Sequence, residues 1–363
     1  MTTLRDIFHA FAPEDLERSP TLPTSHRKVI RAIQHCQSGH DGHSLSQCLH
    51  CGGQHRVNHS CGNRHCPPCQ QHNTQQWLAH HLEKQLPGPY VLLTFTVPET
   101  LRPFLRSPQR LASQAMFQAS ATARKRLAKD PRFIGTALPG FTGVLHTWGR
   151  QLQYHPHLHS IVPGGGLSED RTTWRPSRVN FFVPVTALSP IYRTLFKEDM
   201  RHAGLLEHID PQVWTIPWNV HSQANHHGHS AFTSLAPSGF RVALSNSRIV
   251  GLTDRTVTFT SRTPGSARPR TTHLDVMECL RRFLQHVLPD GFVKVRHFGF
   301  LHARCAIPPA PIRLMMGQGH PSDDEPTQRQ PPKPLAARCP ICGTPMRVVM
   351  RLWTSNRAFV DTG

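Results

Sequence analysis

The sequence predicts an α+β architecture, an antiparallel sheet with helices on it, preceded by a small cysteine-rich module. Three observations predict it. Tyr154 to Val162 reads YHPHLHSIV, with histidines alternating against apolar residues at strand period. Around it, short β-branched and aromatic runs are interleaved with amphipathic helical stretches, the pattern of a mixed sheet domain. Near the start, two CxxC pairs lie fourteen residues apart, a spacing suited to a metal-held fold.

Charge and composition narrow the class. The 363 residues carry 41 Lys and Arg against 22 Asp and Glu, a net +19 spread along the whole chain. Such a field attracts polyanions, nucleic acid first among them. No apolar run reaches the ~18 residues of a membrane helix, and the opening Met1-Thr2-Thr3-Leu4-Arg5-Asp6 lacks the apolar core of a secretory signal. A cytoplasmic location is therefore expected. Ten cysteines in such a chain point to metal ligands rather than disulfides.

Residues 1–80 are expected to form a helical lead-in and zinc-binding domain. Leu4 to Leu16 and His26 to His35 read as helices, and another follows from Gln70 to Leu86. Tetrahedral zinc takes four ligands, and each CxxC turn offers two thiolates, so Cys48, Cys51, Cys66 and Cys69 are the expected set. Cys36, His43, Cys61 and His65 remain for a second ion. Four protein ligands close a zinc site, so the module is expected to be structural.

Residues 81–305 hold the sheet domain. Tyr90 to Val97 (YVLLTFTV) reads as a buried strand stopped by Pro98, and Leu101 to Leu105 and Leu111 to Leu127 as helices. Gly140 to Leu152 reads as a strand antiparallel to the histidine strand, which would bring His146 and Tyr154 near it. Phe181 to Val185 and Val213 to Val220 are expected strands, the second at an edge because of Pro217. Ile191 to His202 is an expected helix. Phe240 to Leu244, Ile249 to Leu252 and Val257 to Thr260 suggest a meander, followed by an amphipathic helix from Leu274 to Leu288. Residues 306–338 read as a proline-rich linker. Residues 339–363 are half a zinc ribbon, Cys339-Pro340-Ile341-Cys342-Gly343; Cys279 and Cys305 are candidates to complete it across the linker, but a weak or absent metal is expected.

The histidine strand is the chemical centre. Residues two apart on a strand sit roughly 6.6 Å apart, so neighbours can share an ion while the outer pair cannot. Pro156 belongs at a strand's start or edge, which favours His157 and His159 as ligands, with His155 a further candidate. His146, His155 and a residue after Ser238 compete as the third ligand.

These residues resemble the rolling-circle transposases of the IS ninety-one family, which are HUH single-strand endonucleases. The landmarks are SCGNRHCPPCQ (Ser60 to Gln70), LHTWGRQLQYHPHLHSIVPGGG (Leu145 to Gly166), FRVALSNSRIV (Phe240 to Val250) and RRFLQHVLPDGFVKVRHFGF (Arg281 to Phe300). The resemblance implies a zinc-binding domain followed by an HUH endonuclease domain, in a protein associated with the bacterial nucleoid. It implies magnesium or manganese at His157 and His159, single-stranded DNA at element ends as partner, and attack on the scissile phosphate by a tyrosine. The products would be a 5′-phosphotyrosine and a free 3′-hydroxyl.

At the tyrosines the chain departs from the family. The segment Tyr-Leu-Ala-x-Tyr reads here Ser234-Leu235-Ala236-Pro237-Ser238. A serine oxygen lies one carbon from the backbone and cannot reach the phosphorus a tyrosine reaches from the same position. An alkyl hydroxyl is also a far weaker acid than a phenol, which titrates near ~10. Arg150 stands where the family more often has glutamine. Tyr154 is the remaining phenol nearby, but strand alternation turns it away from the histidines. A DNA-nicking transposase and a cleavage-defective DNA-binding relative are thus the two readings. A three-histidine metallohydrolase is disfavoured, because no Asp or Glu follows the histidines before Glu169 and Asp170.

Overall fold

The structure, a computed structural model, describes residues 2–354 except positions 137, 179, 226, 234–241, 263–267, 306 and 318–337. Helix α1 (Leu4–Arg18) begins at Thr3, whose hydroxyl accepts from the Asp6 N–H while Asp6 accepts from the Thr3 N–H. That reciprocal cap satisfies two donors that a helix start leaves unpaired. Helix α2 (Thr24–His35) follows, with Val29, Ile30 and Ile33 buried on its apolar side. A short hairpin, β1 (His43–Cys48) and β2 (Gln54–Asn58), precedes α3 (Pro67–Glu83). Pro67 and Pro68 open α3 in its first turn, where a missing N–H costs nothing.

The large domain runs through β3 (Tyr90–Thr96), α4 (Arg102–Arg106), α5 (Gln109–Lys129), β4 (Leu138–Pro139), β5 (Phe141–Trp148) and β6 (Tyr154–Pro163). It continues with β7 (Gly165–Leu167), β8 (Trp174–Pro176), α6 (Val185–His202) and β9 (Val220–Asn225). Then come β10 (Ile249–Thr253), β11 (Thr256–Ser261), β12 (Arg270–Asp275), α7 (Val276–Leu284), β13 (Val295–Phe298), α8 (Pro309–Met315) and finally β14 (Met346–Leu352).

The main sheet is antiparallel throughout, in the order β13-β5-β6-β3-β9, so the histidine strand β6 is its middle strand. One face carries Leu93, Phe95, Leu145, Leu158 and Val162 into a core shared with α5 and α6. Arg124 of α5 is buried in that core, its guanidinium 3.7 Å from the Phe141 ring centroid and its Nε donating to the Ser120 carbonyl. Burial pulls it down to about 9. The opposite face carries the histidines and, beside them, Val144 and Ile161, which pack with Trp77, Leu78 and Leu82 of α3.

A second core joins the N-terminal helices to the sheet β10-β11-β12 and to α7. Leu4, Ile7 and Phe8 meet Phe259, Leu280 and Phe283 there, with Phe8 and Phe283 edge to face. Cys36, Cys66 and Cys69 lie in the same core.

Several expected elements differ. Phe181 to Val185 forms no strand; Pro184 instead precedes α6, which starts at Val185, earlier than expected. Val213 to Val220 is not one strand either. Pro211–Trp214 is a 3-10 turn, Trp218 is buried against Trp214, and the edge strand begins only at Val220. The expected helix from Leu274 is shorter, because Leu274 pairs with Val257 in β12 and Asp275 caps the helix. The expected linker contains α8, whose Ile312 is buried. The tail is not an isolated half-ribbon: β14 pairs antiparallel with β1, making a three-stranded sheet β14-β1-β2.

Candidate metal centres

On β6, the register places Thr96 opposite His157 and Thr94 opposite His159, while β5 sets His146 opposite His157. Paired residues share a face, so the three imidazoles converge. Their ring centroids lie 5.1 Å (His146 to His157), 4.6 Å (His146 to His159) and 4.8 Å (His157 to His159) apart. One ligand atom from each falls within 4.8 Å of the others. His155 is not in this group; its ring lies 4.9 Å from that of His157, on the outer side of the row. The third member comes from the neighbouring strand, because pairing brings His146 closer than the strand's own rise allows His155 to come.

Two backbone and side-chain partners orient the rings. His157 Nδ1 donates to the His155 carbonyl at 2.7 Å, which fixes the tautomer and leaves Nε2 with its lone pair. His159 Nδ1 is hydrogen-bonded to the Thr94 hydroxyl at 3.1 Å. Burial holds both imidazoles neutral, pulling His157 down to about 4 and His159 to about 3. Neutral nitrogens are what a metal needs. Trp148 stacks on His146 at 5.0 Å, and the Lys294 ammonium lies 4.8 Å from the Trp148 centroid. Lys294 is pulled down to about 7 by burial and by the Arg64 charge. Sequence reasoning did not single it out; its signal was a lone lysine in the apolar β13 approach.

The cysteines form two groups. Cys36 at the end of α2, Cys61, Cys66 at the α3 cap and Cys69 in its first turn make one. Cys48, Cys51, Cys339 and Cys342 make the other. In the first, Cys69 Sγ lies 3.7 Å from Cys36 and 3.6 Å from Cys61. A tetrahedron with Zn–S of about 2.3 Å has S···S edges of about 3.8 Å, so the first group has the size of a zinc site.

No solved structure matches the chain. Residues 7–97 match the family model described as "Transposase zinc-binding domain", and residues 140–307 the one described as "Putative transposase". The chain is 32% identical over 369 residues to "Putative transposase y4qJ" of Sinorhizobium fredii (strain NBRC 101917 / NGR234), covering 93% of this chain and 92% of that one. The chain belongs to the IS ninety-one family of transposases. This transposase is also 28% identical over 265 residues to "Transposase for insertion sequence element IS801" of Pseudomonas savastanoi pv. phaseolicola, covering 68% of this chain and 62% of that one.

The zinc-binding domain of this transposase thus carries structural zinc, but the structure groups the cysteines differently from expectation. The four thiols of the two N-terminal CxxC pairs do not converge. Cys66 and Cys69 belong with Cys36 and Cys61, whereas Cys48 and Cys51 face Cys339 and Cys342 from the tail. His43 and His65, expected at a second ion, join neither group. His43 is the first residue of β1, and His65 is half-buried, its pKa held well below the ordinary range by desolvation. The cause is the β-hairpin, which carries Cys48 and Cys51 away from α3. Tyr154 is on the far face, as alternation requires, stacked over His286 and pushed up to about 12 by burial. Ser234 and Ser238 lie outside the described residues. Among the described residues no helix is long and apolar enough to cross a membrane.

Proposed function

We propose that this transposase acts on single-stranded DNA at the ends of its element, by metal-dependent nicking and strand transfer of the rolling-circle type. The convergence of His157 and His159 of the middle strand with His146 of its neighbour β5 supports it above all. A hard divalent ion such as magnesium or manganese, held there, would supply Lewis acidity to the phosphoryl oxygens of the scissile bond. The chain's own contribution is orientation and protonation state. The His155 carbonyl and the Thr94 hydroxyl aim two of the rings, and burial keeps them unprotonated at neutral pH. The +19 charge draws the DNA backbone to the protein.

A second reading is favoured by Ser234 and Ser238, which stand at the positions of the expected tyrosines. On that reading the chain binds the DNA and the ion but does not cleave. A nicking assay on single-stranded DNA carrying the element's terminal hairpin, with manganese or magnesium, compares the unmodified chain with Ser234→Tyr and Ser238→Tyr. Under the first reading the unmodified chain nicks. Under the second it only shifts the DNA in a gel, and a tyrosine variant forms the covalent adduct. A chain that binds duplex as well as single strands, with His159→Ala unchanged in manganese affinity, would overturn both.

A further inference from the structure

We propose that Cys48, Cys51, Cys339 and Cys342 form a second zinc site that clasps the C-terminal segment onto the N-terminal module. The two halves lie far apart in the chain, Cys51 and Cys339 being 288 positions apart, yet they are built alike. In the first, the Cys48 N–H donates to the Gly53 carbonyl at 2.9 Å and the Gly52 N–H to the Cys48 carbonyl at 3.2 Å. In the second, the Cys339 N–H donates to Thr344 at 2.9 Å and the Gly343 N–H to Cys339 at 2.8 Å. Gly52 and Gly343 occupy the same left-handed conformation, at φ 71° and 72°. The His50 and Cys51 N–H groups also point at the Cys48 sulfur, each at 3.5 Å. Amides aimed at sulfur stabilise a thiolate, the form that zinc takes.

The sulfurs have the spacing of a tetrahedral site. Cys48 Sγ lies 3.4 Å from Cys342 and Cys51 Sγ 3.7 Å from Cys339, close to the S···S edge of about 3.8 Å expected around zinc. They are too far apart for disulfides, whose bond is about 2.05 Å, and all four are free.

Packing gives the ion a task. Among the described residues, the hydrophobic cluster against the sheet β14-β1-β2 is only Cys48, Cys339 and Met346. Every other residue of β14 is exposed. Three strands around two thiols and a methionine lack the apolar area that holds a sheet together without help. Small domains of that kind are folded by a metal. The zinc-binding family match ends at residue 97 and does not reach the tail. This inference does not depend on the nicking activity proposed above.

The test is zinc content of the reduced full-length chain by plasma mass spectrometry, with hydrogen exchange read at β1 and β14. The native chain is expected to hold two zinc ions. Cys342→Ser should hold one, and amide exchange should speed up in both strands. Cys342→His should recover the second ion and the protection, because imidazole is also a zinc ligand and Cys342 is exposed enough to accommodate it. One zinc in the native chain, two in Cys342→Ser, or unchanged exchange after loss of an ion would overturn the proposal. So would cysteine pairs joined as disulfides in the native chain.

Discussion

The two cysteine groups each bring four thiols together, in opposite surroundings. Cys36, Cys66 and Cys69 are embedded in a core that also contains Leu4, Phe8, Leu244, Phe259 and Phe283. That core reaches Leu152 and Trp148, and Trp148 stacks on His146 of the histidine group. The other group closes a lobe whose hydrophobic cluster, among the described residues, is Cys48, Cys339 and Met346. One site is therefore an anchor within a core that supports the histidines, while the other substitutes for a core.

That difference sets the largest expected effect. Cys66→Ser removes one ligand of four from the shared core. Structural zinc contributes on the order of 10–16 kcal/mol, comparable to the whole stability of a domain at about 5–15 kcal/mol. The expected outcome is loss of the main cooperative transition in a thermal melt followed by circular dichroism. Cys342→Ser should leave that transition in place. If the two variants lose the same transition to the same extent, the contrast between anchor and substitute core is wrong.

Arg64 tests how the anchor is joined to the sheet domain. Its guanidinium donates to the carbonyls of Phe292 at 2.6 Å, Pro289 at 2.9 Å and Leu288 at 3.4 Å, bridging the first zinc loop to the approach to β13. Hydrogen bonds to a charged group are worth about 1.5–3 kcal/mol each, with overlap among neighbours. Arg64→Ala is expected to cost about 2–4 kcal/mol in urea unfolding. Arg64→Lys should recover only part, since an ammonium cannot fork across several carbonyls. No comparable arginine bridge is needed to hold the outer lobe if its zinc does the work.

Acid should weaken the shared core before it reaches the thiols' own chemistry. His286 is buried, hydrogen-bonded through Nε2 to the Leu152 carbonyl at 3.0 Å, and pulled down to about 4 by desolvation. Unfolded, it titrates near ~6.5. Between those values the unfolded chain binds a proton that the native chain refuses, so stability is full above the unfolded pKa and falls as pH drops toward the folded one. Moving from pH 7.5 to 5.5 should cost about 1.4 kcal/mol from this residue alone. His81, also pulled down to about 4 by burial, acts in the same direction. His286→Gln keeps a donor for Leu152 but cannot titrate, so its urea midpoint should depend less on pH. An equal slope in both chains would remove His286 from the account.

What was legible in the sequence follows the range of the interaction. The alternation of His155, His157 and His159 gave a strand, and the adjoining run Gly140 to Leu152 gave its antiparallel neighbour, because both signals are local. His146 was visible as a candidate, but choosing it over His155 required the register between β5 and β6. The cysteines group differently from their sequence spacing for a related reason. Spacing favours ligands close in sequence, whereas β1 chose β14 from the far end of the chain. Val213 to Val220 reads as a strand by composition, but Trp214 and Trp218 instead stack on each other and on Phe196 of α6, a tertiary contact that composition does not show.

The smallest expected effect concerns the rim of the same junction. Lys28 of α2 meets Asp290 at 3.1 Å, beside the carbonyls that Arg64 holds, but the two side chains are 64% and 68% exposed. Water screens such a pair, and ordering two mobile side chains offsets most of what attraction remains. Exposed pairs are typically worth about 0.2–1 kcal/mol. Lys28→Ala should therefore shift the urea midpoint barely, and raising salt should erase even that shift. Arg64→Ala should keep most of its cost in high salt, because its partners are carbonyls rather than a charge and lie within the junction. A salt-sensitive loss above about 1.5 kcal/mol for Lys28→Ala would exceed what exposed pairs supply. It would mean that surface charge, not the buried zinc core and Arg64, holds the anchoring module to the sheet that carries the histidines.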